Sequence, residues 1–158
     1  MQQHLKEIKP GVGLGALRFG LSREQVQMQL GKPTEKEQYS LEDEEGELTE
    51  AWHYDEFDLS LSFDEAHDWK LSSIAVSNDE YTLEGVSLIG RPQMEVLQEF
   101  QDRRWGTPEE DEEVSEGDPG NALYFVEESS LSLWFEDGSL TEIQWNPRIL
   151  NDEAVWPE

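Results

Sequence analysis

The hexapeptide Leu59-Ser60-Leu61-Ser62-Phe63-Asp64 returns further along the chain as Leu131-Ser132-Leu133-Trp134-Phe135-Glu136. Both copies have a period of two, so in an extended strand the two leucines and the phenylalanine share one face and the residues between them share the other. Such a strand needs partners in a sheet and a layer over its apolar face. A chain that carries it twice, with similar surroundings each time, is expected to be two linked copies of one unit. The fold class that follows is α+β: two tandem helix-plus-antiparallel-meander repeats forming one curved sheet with helices on one face. The chain has 158 residues. The first αβ repeat takes 1–80 and the second, with a C-terminal tail, takes 81–158, fused as one compact unit.

Local signals place the elements around each copy. Met1 to Pro10 reads as a loose leader, and Gly11, Gly13 and Gly15 as turn glycines. Their spacing lacks the preceding buried strand and the Lys-Ser/Thr ending of a phosphate loop. Ser22 is placed to cap a helix and Gln25 to close a capping box; Leu21, Val26 and Leu30, with Met28 at the margin, give its apolar side before Gly31-Lys32-Pro33 stops it. Thr34 to Leu48 is a short polar strand or a mobile loop, and Glu42 to Glu47 lacks the alternating ligands of a calcium loop. A meander follows: Thr49 to Tyr54, Leu59 to Phe63 and Leu71 to Ser77. From Tyr81 the order returns, and Val86 to Gly90 answers Leu17 to Gly20. A longer helix starts at Pro92 with Met94, Val96, Leu97 and Phe100 as its stripe, and Trp105-Gly106-Thr107-Pro108 repeats the stop. Glu109 to Gly120 is an acidic loop, and Ala122 to Val126, Leu131 to Phe135 and Leu140 to Trp145 are strands. Asp137-Gly138 makes a tight hairpin turn, whereas the longer link from Asp64 to Leu71 carries His67 and Trp69. After Asn146-Pro147, the apolar Ile149, Leu150, Val155 and Trp156 are available to fold back onto the body.

Charge narrows the classes of partner. With 37 acidic and 11 basic residues, the formal net charge is −26. A phosphate backbone needs clustered Lys and Arg, so direct nucleic-acid binding is disfavoured, and an anionic membrane for the same reason. Two readings of the acidity stay open: a solvated surface that keeps the protein soluble, in a salty cytoplasm for instance, or a field that steers and holds a basic protein. The absence of cysteine excludes disulfides and thiolate zinc sites. No apolar run approaches the roughly 18–20 residues of a membrane span, and the first residues lack the apolar core of a secretory signal. A cytoplasmic protein without a cofactor, monomeric or weakly dimeric, is expected.

The segment Phe19-Gly20-Leu21-Ser22-Arg23-Glu24-Gln25-Val26 through Leu30-Gly31-Lys32-Pro33, followed by a three-stranded meander and then answered by a second copy, resembles the repeats of β-lactamase inhibitor proteins and of the SmpA/OmlA family of small outer-membrane assembly lipoproteins. It is also similar to tandem-repeat bacterial proteins to which no activity is assigned. The resemblance covers nearly the whole chain and implies an antiparallel sheet, helices on one face, and a second face open for protein recognition. Those relatives act by binding. This chain shows neither their signal peptide nor a lipidation cysteine, so no particular partner carries over.

If Leu59, Leu61 and Phe63 face the helices, alternation puts Ser60 and Ser62 on the open face, and Ser132 and Trp134 in the second copy. Trp134 then either anchors a partner or packs under a loop or the C-terminal tail. The same logic gives the open face His53, Phe125, Glu142 and Gln144, while Trp69 and His67 reach it from the longer link. A metal at His53 and His67, with Asp55, Asp64 or Asp68, is disfavoured by the lack of ligand spacing, and no serine sits in a nucleophile turn. The expected function is non-enzymatic: an acidic immunity or inhibitor protein that captures a basic toxin or enzyme on the open sheet face. The alternative is a structural or assembly module whose acidity serves solubility or salt adaptation.

Overall fold

The computed structural model describes residues 7–15, 17–40, 48–111, 121–127, 129–150 and 153–155. In it both hexapeptides are strands with the expected alternation. Leu59, Leu61 and Phe63 of β6 (Leu59–Asp64) and Leu131, Leu133 and Phe135 of β12 (Leu131–Glu136) are buried, and the residues between them are half-exposed. Each is the middle strand of an antiparallel meander: β5 (Leu48–Tyr54), β6 and β7 (Lys70–Val76), then β11 (Asn121–Val126), β12 and β13 (Ser139–Trp145). Outer strands β4 (Glu35–Ser40) and β10 (Pro108–Glu110) flank the meanders, and β7 pairs with β13. The result is one eight-stranded antiparallel sheet in the order β10-β11-β12-β13-β7-β6-β5-β4.

A smaller sheet has the order β3-β2-β1-β8-β9, from β1 (Glu7–Lys9), β2 (Gly13–Leu14), β3 (Leu17–Arg18), β8 (Thr82–Leu83) and β9 (Val86–Ser87), with β1 parallel to β8. The helices are α1 (Arg23–Leu30) and α2 (Gln93–Asp102), and β14 (Arg148–Leu150) forms a hairpin with β15 (Glu153–Val155). The fold is therefore mixed α+β. Ile8, Leu14, Leu17 and Leu83 of the small sheet, Val26 of α1, and Val96 and Phe100 of α2 join the inward side chains of the large sheet in one core. That core is ordered by register: Trp52, Leu61, Ile74, Trp145, Leu131 and Val126 form a directly paired row across six strands, and every member is buried. Each such side chain contributes about 1.5–3 kcal/mol by leaving water.

Several contacts fasten the covering layer to the sheet. The Ser22 Oγ accepts from the Gln25 amide at 3.2 Å and the Gln25 Oε1 accepts from the Ser22 amide at 2.9 Å, the capping box that begins α1. Just before it, the Gly20 amide donates to Leu71 O and the Leu71 amide to Leu21 O; just before α2, the Gly90 amide donates to Leu140 O and the Leu140 amide to Arg91 O. The pairing shifts register at Ser62/Phe63 and again at Trp134/Phe135. There Ser72 Oγ donates to Ser62 O and Thr141 Oγ1 to Trp134 O, each at 3.2 Å. Between the layers, the buried Trp145 Nε1 donates to Gly13 O at 3.0 Å. A side chain at Gly13 is excluded, because a Cβ there would lie 2.0 Å from Leu17 O.

Four expectations are corrected. Residues 7–10 are not a loose leader: Ile8 is buried and β1 pairs with both β2 and β8. The strands ahead of the helices form their own small sheet rather than extending the large one. The second acidic stretch, expected as a loop, begins as the short strand β10, whereas the first begins as the polar strand β4, one of the two forms expected of it; residues 41–47 and 112–120 lie outside the described residues, as does Trp156. Met28 and Met94 are 87% and 84% exposed. Each sits two residues from a buried valine, Val26 or Val96, about 200° around the helix and so on the opposite face.

Candidate open-face binding site

The face of the large sheet away from the helices carries a second continuous row. Direct pairing aligns Glu35, His53, Ser60, Ala75, Gln144, Ser132, Phe125 and Glu109 across all eight strands. At about 4.8 Å per strand, the rings of His53 and Phe125 stand roughly 24 Å apart over a floor of small side chains. Phe125 is 41% exposed, which is unusual for a phenylalanine, with Glu109 directly opposite it. The neighbouring positions differ between the halves. Ser62 pairs with Ser73 in the first, whereas Trp134 pairs with Glu142 in the second, so the face is low on one side and built up on the other.

Hydrogen bonds hold this floor. The His53 Nδ1 lies 2.8 Å from Ser60 Oγ and its Nε2 3.7 Å from Glu37 Oε2, so a carboxylate and a hydroxyl orient the imidazole. Gln144 Nε2 donates to Ser73 Oγ at 3.0 Å across the β7–β13 seam. Thr49 Oγ1 and Ser72 Oγ donate to the two oxygens of Asp64 at 2.7 and 2.8 Å. By contrast, the Trp134 Nε1 is buried without a hydrogen-bond partner among the described residues. Burial pushes the carboxyl of Glu142, opposite it, above the usual carboxylate range. The chemistry on offer is a set of acceptors and two well-spaced rings.

Eight of the ten expected residues lie on these strands of the open face: His53, Ser60, Ser62, Phe125, Ser132, Trp134, Glu142 and Gln144. Trp69 does not. It packs against the core under the guanidinium of Arg23, 4.5 Å from its ring centroid, on the side of α1. His67 sits in the 3-10 turn Glu65–His67 of the β6–β7 link, half-exposed and off the face-forming strands. The longer link turns toward the helix layer because Asp68 and Trp69 both adopt left-handed backbone, a bend that residue types alone do not disclose.

One charged cluster escaped the sequence reading. The buried Glu50 accepts from Trp52 Nε1 at 2.5 Å, from Gln38 Nε2 at 2.6 Å and from Arg23 at 3.2 Å, while the Lys36 ammonium lies 4.6 Å over the Trp52 ring. Burial raises the Glu50 carboxyl, but the hydrogen bonds from Gln38 and Trp52 with the charges of Arg23 and Lys36 outweigh it and hold the group below its ordinary range. The available signal was Glu50 and Trp52 two apart on one strand face. Among the described residues no group of three or more His, Asp or Glu is arranged to hold a metal, and no helix is long and apolar enough to cross a membrane. Comparison with protein-family models, with curated proteins and with solved structures finds no match to this chain.

Proposed function

We propose that this chain is a cytoplasmic, non-enzymatic binding module that captures a basic protein on the open face of its large sheet, as an acidic immunity or inhibitor protein does. One observation carries the reading: from either end inward, the open row runs carboxylate, ring, serine, meeting at Ala75 and Gln144. Rings framed by carboxylates offer a Lys- or Arg-rich surface both a desolvated contact and charge complementarity. The net charge of −26 adds long-range attraction for the same class of partner. An arriving cation would also relieve the burial of Glu142.

The row is palindromic because the two halves are copies of one unit, the likeness expected from β-lactamase inhibitor and SmpA/OmlA repeats. Ile74, Ala75 and Val76 correspond to Ile143, Gln144 and Trp145, and they pair reciprocally, Ala75 with Gln144, Ile74 with Trp145 and Val76 with Ile143. A pseudo-two-fold axis passes through the Ala75–Gln144 pair. The matching Gly20 and Gly90 bonds and the matching hydroxyl bonds at the two register shifts support the same assignment. An assembly module pairing through its sheet edges fits less well, since β4 presents Glu35, Lys36 and Glu37 and β10 presents Pro108, Glu109 and Glu110. Charge and proline blunt an edge.

The test is affinity capture from the source lysate at low salt, with elution by a salt step. One basic protein, retained by Met94→Ala on the helix side but lost with Phe125→Ala and Trp134→Ala, supports the module. A broad spread of basic proteins, indifferent to both substitutions, overturns it.

A further inference from the structure

The two halves differ at one place where a ring is missing. Before β6, Asp58 is left-handed and its amide donates to Asp55 O; before β12, Ser130 is left-handed and its amide donates to Glu127 O, both at 3.4 Å. The two turns therefore share this bond and this left-handed residue at the same place ahead of their strands, and Phe57 corresponds to Ser129. Phe57 packs against the core and stacks on Tyr54 at 6.0 Å. In the second half Tyr54 is answered by Val126 and Phe57 by a serine, so two rings are replaced by two small side chains. Beside Ser129 lies a pocket of about 400 Å³ whose walls include Ile8, Val12, Leu83, Leu131 and Trp105. Ser129 lines it, 9% exposed as a residue, and its buried hydroxyl has no hydrogen-bond partner among the described residues.

We infer that this pocket is a binding site for a small aromatic molecule carrying a hydrogen-bonding group, neutral or cationic. Its volume falls in the range of small-molecule sites and exceeds the roughly 150 Å³ that admits benzene to an engineered cavity. The walls are aliphatic with one indole, which suits a ring, and the unpartnered hydroxyl selects a ligand that can donate to it or accept from it. The rim sets the charge. Glu7, Glu84 and Lys9 all line the pocket, and Glu84 accepts from Trp105 Nε1, so the lining carboxylates outnumber the single lining ammonium in a strongly anionic molecule. An anionic ring meets net repulsion. The site draws on both copies, β1 and β8 at the small sheet and Ser129 and Trp105 beyond, and it opens on the helix side, independent of the open face.

The probe is p-cresol, with tyramine and 4-hydroxyphenylacetate as its cationic and anionic counterparts, titrated into the full chain and followed by amide and indole NMR shifts. The expected result is saturable binding of p-cresol and tyramine with dissociation constants of about 0.1–10 mM. The shifts should centre on Ile8, Leu83, Trp105 and Ser129, and 4-hydroxyphenylacetate should bind several-fold more weakly at low salt. Ser129→Phe, which restores the ring of the first half, should abolish binding and raise the melting temperature. Ser129→Ala keeps the pocket and the fold, and should weaken p-cresol about 3- to 10-fold by losing the hydrogen bond. Shifts that never saturate or scatter over the surface overturn the site, as does an affinity unchanged in Ser129→Ala. A folded Ser129→Phe variant that still binds at full strength overturns it as well.

Discussion

Glu50 and Glu142 are both withdrawn from water on strands of the same sheet, and they end up with opposite pKa shifts. Glu50 is supplied with Trp52, Gln38 and Arg23, while among the described residues no hydrogen-bond donor offsets the burial of Glu142. The signs of their pH dependence follow. A carboxyl held low adds stability above its ordinary range that is lost as the pH falls through its depressed pKa; one held high adds stability in its protonated form that is lost as the pH rises through its raised pKa. Glu50→Gln should therefore lower stability at pH 7 by roughly 2 kcal/mol, with the gap to wild type closing in acid. Glu142→Gln should raise the melting temperature at pH 7 and leave it nearly unchanged near pH 3. Thermal unfolding by circular dichroism at both pH values checks the pair. An unstabilised Glu142→Gln would mean that Glu142 has a compensating cation. Neither environment was legible from residue types: strand alternation places Glu142 on the open face and Glu50 on the helix face, but not what surrounds each.

Elements with local causes were legible, and those with distant partners were not. The helix starts, the Gly-x-Pro stop of α1 and the two meanders rest on neighbours within a few positions, such as Ser22 with Gln25 or the turn at Asp137-Gly138, and they form as read, whereas α2 ends at Asp102 with Arg103 as its C-cap, ahead of Gly106-Thr107-Pro108. β1 carries one apolar residue, Ile8, and exists because β2 and a parallel β8 from the other half lie beside it. β10 is likewise held by β11. Gly13 joins the two kinds of element, since its carbonyl takes the Trp145 indole while its bare Cα lets β3 approach. Gly13→Ala should therefore cost roughly 2–3 kcal/mol, far above the effect of an alanine in an open turn, and chemical denaturation measures it. A loss under 0.5 kcal/mol would mean that β2 and β3 separate easily.

For the molecule as a whole, the β7–β13 seam and the β1–β8 pair join the halves, and one core serves both. Residues 1–80 expressed alone should consequently be unfolded or dimeric, with β7 of one copy taking the place of β13 in the register that Ala75 and Gln144 show. Sedimentation and NMR dispersion decide this, and a folded monomer would contradict the seam's role. The second whole-molecule expectation concerns the field: association with a basic partner should slow by about tenfold or more between low and physiological salt, while Trp134→Ala acts chiefly on dissociation, as stopped-flow mixing would resolve. A salt-independent rate would assign the acidity to solubility alone.

Alternation in the sequence by itself determined the two meanders, the apolar rows they bury and the eight face residues from His53 to Gln144, because a strand's period of two is a local steric property. The cap and stop of the first helix were determined in the same way. Tertiary structure alone decided that Trp69 turns beneath Arg23, that Met28 and Met94 stay outside, that Ile8 enters a second sheet, and that Ser129 borders a pocket. Each of those outcomes depends on a neighbour remote in the chain, and burial and hydrogen bonding are set by whichever groups the fold brings together.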